Sequence, residues 1–154
     1  MPTVIRTSVV PAPSALVWER VTNFAGVNHE LMPFVRMVVP RHRRGTTVDD
    51  APVGKRLGRF WMLYLGVLPL DYDDLTLTEL VPGSHFQEVS TMLTMRRWEH
   101  RRELRPLGAG RTEVTDTVRF EPRLPLVGGA VAVLVGRLFS HRHRRLVGWF
   151  AERA

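Results

Sequence analysis

The sequence predicts an α+β fold in which a curved antiparallel sheet of about seven strands wraps around a long C-terminal helix, with two short helices after the first strand. Near residue 34 the spacing of hydrophobic residues changes from the helical period to the two-residue period of a strand, and it keeps the two-residue period to residue 120. Residues 127–154 then form one long helical pattern. Strands and helices that occur in separate runs favour an antiparallel sheet over βαβ repeats. The 154 residues suit one domain spanning 1–154, which can bury its own core.

The first part of the chain predicts one strand and two helices. Residues Thr3–Val10 alternate as a strand does, and Pro11–Pro13 end it. Apolar side chains at helical spacing then predict a helix over Ser14–Phe24, with a proline suited to its first turn. A short second helix is predicted over Val27–Met32, where Pro33 stops it.

The middle of the chain predicts six strands. A basic segment, Arg41–Val53, interrupts them as an exposed loop, and three aspartates at 71, 73 and 74 are interpreted as a solvated turn. The alternating segments are Phe34–Val39, Lys55–Val67, Tyr72–Leu80, His85–Met92, Arg97–Arg105 and Thr112–Phe120.

The C-terminal helix, predicted over Val127–Ala154, has an apolar stripe that must be buried. The concave face of the sheet is the only large partner for it. The apolar run Leu124–Val135 is too short for the roughly 20 residues that a bilayer requires. The stripe consists of Val131, Leu134, Val135, Leu138, Arg142, Leu146 and Trp149.

Several kinds of chemistry find no support in the residues present. The chain has no cysteine, which excludes disulfides and a thiolate nucleophile. His29 and Glu30 lack a second histidine at zinc-motif spacing, and His141 and His143 point to different sides of a helix. No glycine-rich phosphate loop is present, so we predict neither a metal nor a cofactor. The N-terminal segment has no signal-peptide pattern, and we expect a cytoplasmic protein.

The net charge of +7 means that the protein could attract an anionic partner. Lys55 is the only lysine, and the arginines are spread over strands, loops and the last helix. A nucleic-acid-binding protein would cluster them with exposed aromatic residues, so the pattern argues against nucleic acid. The basic segment Arg137–Arg145 could touch an anionic membrane weakly, although a solvated helix face is the simpler interpretation.

Strand parity predicts which side chains of Arg97–Arg105 point towards the helix. One face carries only charged side chains, and burying all of them would be prohibitive, so this face must meet water. Trp98, His100 and Arg102 on the other face therefore point inward. The charged face consists of Arg97, Glu99, Arg101, Glu103 and Arg105.

A row of polar side chains is predicted on the inner face of three neighbouring strands. If Leu104 lies opposite Thr112, His100 lies opposite Asp116, and a tight turn brings Glu88 close to His100 as well. A carboxylate can orient an imidazole, which can then take or give a proton near neutral pH. A slip of one residue would turn Glu88 outward.

Three interpretations of this row remain open. The three side chains could satisfy one another, or pair with Arg142 of the covering helix, as purely structural groups. They could instead form hydrogen bonds to a ligand. They could also catalyse enolisation, dehydration or an intramolecular aldol step, with His100 as general acid or base and Glu88 and Asp116 beside it.

Further side chains are predicted to point into the space between sheet and helix. Trp61 and Tyr64 lie on opposite strand faces, so at most one of them can do so. The arginines of 41–44 could flank its mouth and attract an anionic ligand. The predicted ligand-binding residues are Trp61, Trp98, Arg102, Val114, Val118, Leu134, Leu138 and Arg142.

Four segments resemble a known superfamily. Val10–Trp18 resembles its passage from first strand to first helix, Trp98–His100 and Thr112–Pro122 its last two strands, and Leu138–Leu146 the closing helix of some bacterial members. The chain thus resembles the START/Bet v 1-like (SRPBCC) superfamily, which includes polyketide cyclases and lipid-transfer domains. This resemblance implies a helix-grip fold with a hydrophobic cavity, and not one chemistry, since members include carriers, cyclases and aromatases.

From the residues and the resemblance together, we expect a protein that binds or carries a small hydrophobic molecule, such as a lipid, polyketide or polycyclic compound. The first alternative is a cofactor-independent enzyme of the polyketide cyclase or dehydratase type that uses His100. The second is a peripheral membrane or partner-binding module that uses the basic C-terminal helix.

Overall fold

The computed structural model describes residues 1–154, and the predicted order of elements is confirmed. The helices are α1 (Ser14–Val21), α2 (Phe24–Leu31) and α3 (Gly128–Ala151), and the strands are β1 (Thr3–Val10), β2 (Val35–Met37), β3 (Arg56–Tyr64), β4 (Leu68–Val81), β5 (His85–Thr91), β6 (Met95–Pro106) and β7 (Thr112–Pro122). The strands form one antiparallel sheet in the order β1-β7-β6-β5-β4-β3-β2.

The boundary between α1 and α2 differs from the prediction. The Asn23 side chain accepts a hydrogen bond from the Gly26 amide at 2.7 Å, and so caps the start of α2. The first helix therefore ends at Val21, and the second begins at Phe24 instead of Val27. An asparagine followed by helix-forming residues was the overlooked signal.

Strand β4 begins earlier than predicted because the turn before it is tighter. Leu65 and Gly66 have positive φ angles of 55° and 79°, and they complete the reversal from β3. Leu68–Leu70 therefore belong to the strand. Pro69 is tolerated there, since the pairing of β4 with β5 starts only at Asp74 and leaves this edge free.

Helix α3 packs on β1 at one side of the sheet and leaves space above the strands on the other side. The Arg6 side chain of β1 donates to the Ser140 hydroxyl at 2.8 Å, and Val4 and Phe139 belong to the same core cluster. The helix is rotated relative to the predicted stripe, so that Leu134 remains 64% exposed. Its buried side chains are Val135, Phe139, Arg142, His143, Leu146 and Phe150. No helix of the protein is long and apolar enough to span a membrane.

Candidate functional site

A cavity of about 470 Å³ lies between α3 and the concave face of strands β3 to β6. Hydrophobic residues make up 23 of the 34 that line it, which suits an apolar occupant. Leu134 lines the cavity although 64% of its surface is exposed, so the cavity reaches solvent beside this turn of α3. The apolar lining includes Phe24, Leu31, Phe60, Met62, Leu75, Leu77, Met92, Trp98 and Phe139.

Arg102 is the centre of a group of buried charges behind the cavity. Its guanidinium donates to both oxygens of Glu30, at 2.8 and 2.9 Å, and to both oxygens of Asp116, at 2.6 and 2.7 Å. The residue is 0% exposed. Its guanidinium is therefore paired with carboxylates of the protein itself. Arg102 does not line the cavity, contrary to the prediction that it binds ligand.

Asp116 accepts four hydrogen bonds. Two come from Arg102, one from His100 Nε2 at 2.7 Å and one from His143 Nε2 at 2.7 Å. Burial by itself disfavours the charged carboxylate, but the Arg102 guanidinium outweighs it and holds the pKa of Asp116 well below its usual range. The carboxylate is thus a charged part of the core at neutral pH.

Glu30 completes this group from α2, and sequence reasoning missed it. It is 1% exposed, and it accepts bonds from Arg102 and from Arg142 Nε of α3, the latter at 3.2 Å. Burial opposes its ionisation, yet the two arginines lower its pKa. The contact ties α2 and α3 to the sheet. We call Glu30, Arg102, Asp116, Arg142 and His143 the ion cluster.

The predicted polar row has a different register from the one expected. Leu104 lies opposite Val114, so that Asp116 faces Arg102 and not His100. The hairpin loop is two residues shorter than assumed, because Pro106 still pairs with Thr112. An error of two residues preserves strand parity, so Asp116 remains on the inner face.

His100 nevertheless contacts both predicted carboxylates. Its Nε2 lies 2.7 Å from Asp116 Oδ1, and its Nδ1 lies 2.9 Å from Glu88 Oε1 of the directly paired residue on β5. Burial lowers the pKa of His100, but the charges of and bonds to these carboxylates outweigh it and raise the pKa overall. Both ring nitrogens of His100 are hydrogen-bonded to carboxylates. Within the row, Glu88 is the residue whose side chain is partly exposed, at 19%.

Two aspartates interpreted as part of a solvated turn are buried inside the cavity. Asp71 and Asp73 are 1% and 3% exposed, and both line it. Asp71, Asp73, Leu75 and Leu77 occupy every second position along β4, and this period of two was the sequence signal for a shared inner face. Asp74 follows Asp73 directly and therefore points to the outer face of the sheet, where it forms an ion pair with Arg56.

The remaining predicted ligand-binding residues divide into two sets. Trp98, Leu134, Leu138 and Arg142 line the cavity, as do Arg43 of the basic loop and Tyr64. Trp61 does not, because Phe60 occupies the inner face of β3 and turns Trp61 outward, where it is 43% exposed. Val114 and Val118 are 0% exposed but lie on β7, beneath the packed part of α3, and belong to the two core clusters.

A sheet curled around a long C-terminal helix, with two short helices after β1, defines the START/SRPBCC-like helix-grip fold. The chain belongs to the family described as a domain of unknown function (DUF8410), whose profile matches residues 8–150. Among curated proteins, none matches the sequence significantly.

Solved structures with the same fold include a START superfamily protein and two aromatase/cyclases. A START superfamily protein from Mycobacterium smegmatis has a TM-score of 0.72 at 16% identity, covering 99% of each chain. The Zhui aromatase/cyclase from Streptomyces sp. R1128 has a TM-score of 0.69 at 17% identity, covering 99% of this chain and 94% of that one. The di-domain ARO/CYC BexL from the BE-7585A biosynthetic pathway has a TM-score of 0.66 at 16% identity, covering 99% and 47%. At these identities the likeness shows the fold alone.

Proposed function

We propose that this protein binds and carries a small hydrophobic molecule in the cavity between its sheet and α3. The observation that carries the proposal is the cavity itself, of about 470 Å³ and lined mainly by hydrophobic side chains. A space of this size suits a ligand of a few fused rings or a short acyl chain. Burying such a ligand would gain roughly 25 cal/mol for each Å² of apolar surface removed from water.

The state of His100 favours binding over chemistry as the main function. A general acid or base must reach its substrate with a free nitrogen, directly or through one water. Both nitrogens of His100 are bonded to carboxylates, and its side chain is only 3% exposed. The imidazole is therefore placed to hold Glu88 and Asp116 in position.

The binding proposal is tested with fluorene, an apolar three-ring probe, titrated by its own fluorescence. Wild-type protein should bind it with a micromolar dissociation constant. Leu138→Trp, which places a large side chain in the cavity, should weaken binding at least about tenfold, a difference of about 1.4 kcal/mol. Leu126→Trp is the matched control, because Leu126 is 99% exposed and does not line the cavity.

Two results would overturn the proposal. One is a folded wild-type protein that takes up no fluorene. The other is equal weakening by both tryptophan substitutions, which would place the probe on the outer surface.

A polyketide cyclase or dehydratase activity is the second candidate, because Glu88 and Asp73 offer carboxyl groups to the cavity beside His100. In that case the protein should accelerate cyclisation of a linear poly-β-ketone probe. His100→Ala and Glu88→Gln should abolish the acceleration while fluorene still binds. A wild-type rate equal to that in buffer would refute this candidate.

Weak contact with anionic membranes is a third proposal, and the structure narrows the residues that it could use. Arg142 is buried on Glu30, and Arg145 donates to the His29 carbonyl at 3.0 Å, which leaves Arg137 and Arg144 exposed on α3. Cosedimentation with anionic vesicles at low salt, and its loss at high salt, would support this contact. Equal binding to neutral vesicles would contradict it.

A further inference from the structure

Asp71 and Asp73 are two buried aspartates on the same face of one strand, yet their surroundings are opposite. Asp71 accepts hydrogen bonds from the amides of Tyr72 and Leu93, both at 2.8 Å, and from the hydroxyls of Tyr64 and Thr94. Asp73 Oδ1 is buried and has no hydrogen-bond partner. Because buried polar atoms in proteins are nearly always paired, the lone oxygen requires an explanation.

The surroundings of Asp73 favour the uncharged acid. Burial is the main cause that raises its pKa to about 8, and the negative charge of Glu88 adds to it. The neighbouring Ser90 hydroxyl is close enough to favour the charged form, although Ser90 Oγ and Asp73 Oδ1 make no hydrogen bond of acceptable geometry with each other. A protonated carboxyl group carries one O–H donor, and Asp73 Oδ1 has no hydrogen-bond partner within the protein.

We propose that Asp73 selects the ligand of the cavity by donating a hydrogen bond to a carbonyl oxygen on an otherwise apolar molecule. This inference rests on the proposed binding function. The Asp73 carboxyl lines the cavity among Phe60, Leu75 and Leu77. A ligand bound there would displace water from the Asp73 carboxyl and from its own carbonyl group. The preferred ligands are therefore polycyclic or acyl ketones rather than pure hydrocarbons.

Glu88 gives the same wall a complementary acceptor. Its Oε1 is held by His100, and its carboxylate can accept further bonds but donate none. A ligand with a hydroxyl group placed beside its ketone would therefore meet a donor at Asp73 and an acceptor at Glu88. Since a hydrocarbon would leave Asp73 Oδ1 without a partner in the cavity wall, Asp73 acts against pure hydrocarbons.

The test compares 9-fluorenone with fluorene, which have the same ring skeleton and differ by the ketone oxygen. At pH 6, wild-type protein should bind 9-fluorenone about fivefold more tightly than fluorene, in line with one net hydrogen bond. Asp73→Leu should remove this preference. Asp73→Asn keeps a neutral N–H donor of similar size, and it should preserve the preference.

The pH dependence supplies a second measurement that needs no unstable variant. The wild-type preference for the ketone should disappear as the pH rises from 6 to 9.5, with a midpoint near 8, because the ionised Asp73 no longer donates. Asp73→Asn should show no such change, which separates Asp73 from the other titratable groups. Those groups, from every element around the cavity, are Arg43, Asp50, Tyr64, Asp71, Glu88, His100 and Arg142.

The outcomes separate this inference from the binding proposal. If fluorene binds in the cavity but 9-fluorenone binds no better at any pH, Asp73 does not select the ligand, although the cavity still binds. A preference that survives in Asp73→Leu would also overturn the inference. If neither compound binds, the binding function and the inference fail together.

Discussion

Two groups of ionisable side chains meet at His100 and differ in how completely they are paired. In the ion cluster, Asp116 accepts four hydrogen bonds and Arg102 donates to two carboxylates. On the cavity side, Glu88 keeps an exposed edge and Asp73 Oδ1 has no partner. We call Asp73 and Glu88 the cavity carboxyls.

The comparison teaches that burial alone does not mark a functional group. A buried charge that finds all its partners inside the protein positions the elements that carry it, as the ion cluster joins α2, α3 and β6. A buried polar atom without a partner leaves a hydrogen bond for a ligand to make. The ion cluster therefore holds the elements around the cavity in place, and the cavity carboxyls face the ligand.

The largest expected effect breaks the ion cluster. Arg102→Met leaves Glu30 and Asp116 as buried charges facing each other, and we expect a loss of about 3–5 kcal/mol in the free energy of unfolding. Arg101→Met, on the outer face of the same strand, removes only partly exposed pairs and should cost less than about 1 kcal/mol. Urea denaturation of both variants measures the difference. Similar costs for the two would contradict this account of the ion cluster.

Acid should weaken the ion cluster. The pKa values of Asp116 and Glu30 are lower in the folded than in the unfolded chain. Their contribution to stability is therefore present above the unfolded values, near 4, and is lost as the pH falls through the folded ones. In the Asp73→Asn variant, where the opposing titration of Asp73 is absent, we expect a stability lower by a few kcal/mol at pH 3 than at pH 6, measured by urea denaturation. An unchanged stability across this range would contradict it.

Asp73 should respond in the opposite sense. The pKa of Asp73 is raised to about 8 in the folded protein, so its ionisation opposes folding increasingly as the pH rises from about 4 to 8. Asp73→Asn should therefore stabilise the protein, by about 1–3 kcal/mol at pH 8.5 and by less at pH 5. Thermal unfolding at both pH values measures this.

Asp71→Asn is the matched control for that variant. It changes the same atoms on the same strand face but replaces one of the two accepting oxygens by an NH2 group, so two of the four hydrogen bonds lose their acceptor and the protein should be destabilised at both pH values. Equal signs for the two substitutions would remove the distinction between the aspartates.

The smallest expected effect concerns the influence of Glu88 on Asp73. Because the Glu88 charge raises the pKa of Asp73, Glu88→Gln should lower the midpoint of the Asp73 titration below 8 while leaving the fold intact. The ¹³C chemical shift of the Asp73 carboxyl, followed by NMR across pH 4–10, measures that midpoint. An unchanged midpoint would contradict the influence of Glu88 on Asp73.

The fold could be predicted from the sequence because its signals are local. Alternation along β6 and β7 placed His100, Arg102 and Asp116 on the inner face, and parity survived an error of two residues in the register. The polar row was therefore placed on the correct face although the pairing of Asp116 was wrong.

The partners of those residues could not be predicted, because they come from distant elements. Glu30 reaches Arg102 from α2 across 72 residues of sequence, and no periodic pattern encodes that contact. The burial of Asp71 and Asp73 was not predicted because clustered aspartates are typical of a turn. Their spacing of two residues from each other and from Leu75 and Leu77 nevertheless indicated a shared inner face. Where charge and periodicity disagree within a strand, a functional position is to be expected.

The most direct test of the account is a crystal structure of the protein with 9-fluorenone. We predict the three rings in the cavity between α3 and strands β3 to β6, with the ketone oxygen within hydrogen-bonding distance of the Asp73 carboxyl and the ion cluster unchanged. Rings in the cavity with the ketone turned away from Asp73 would leave the binding function and refute the selection by Asp73. Rings bound only on the outer surface, with the cavity filled by the protein's own side chains, would contradict the central claim.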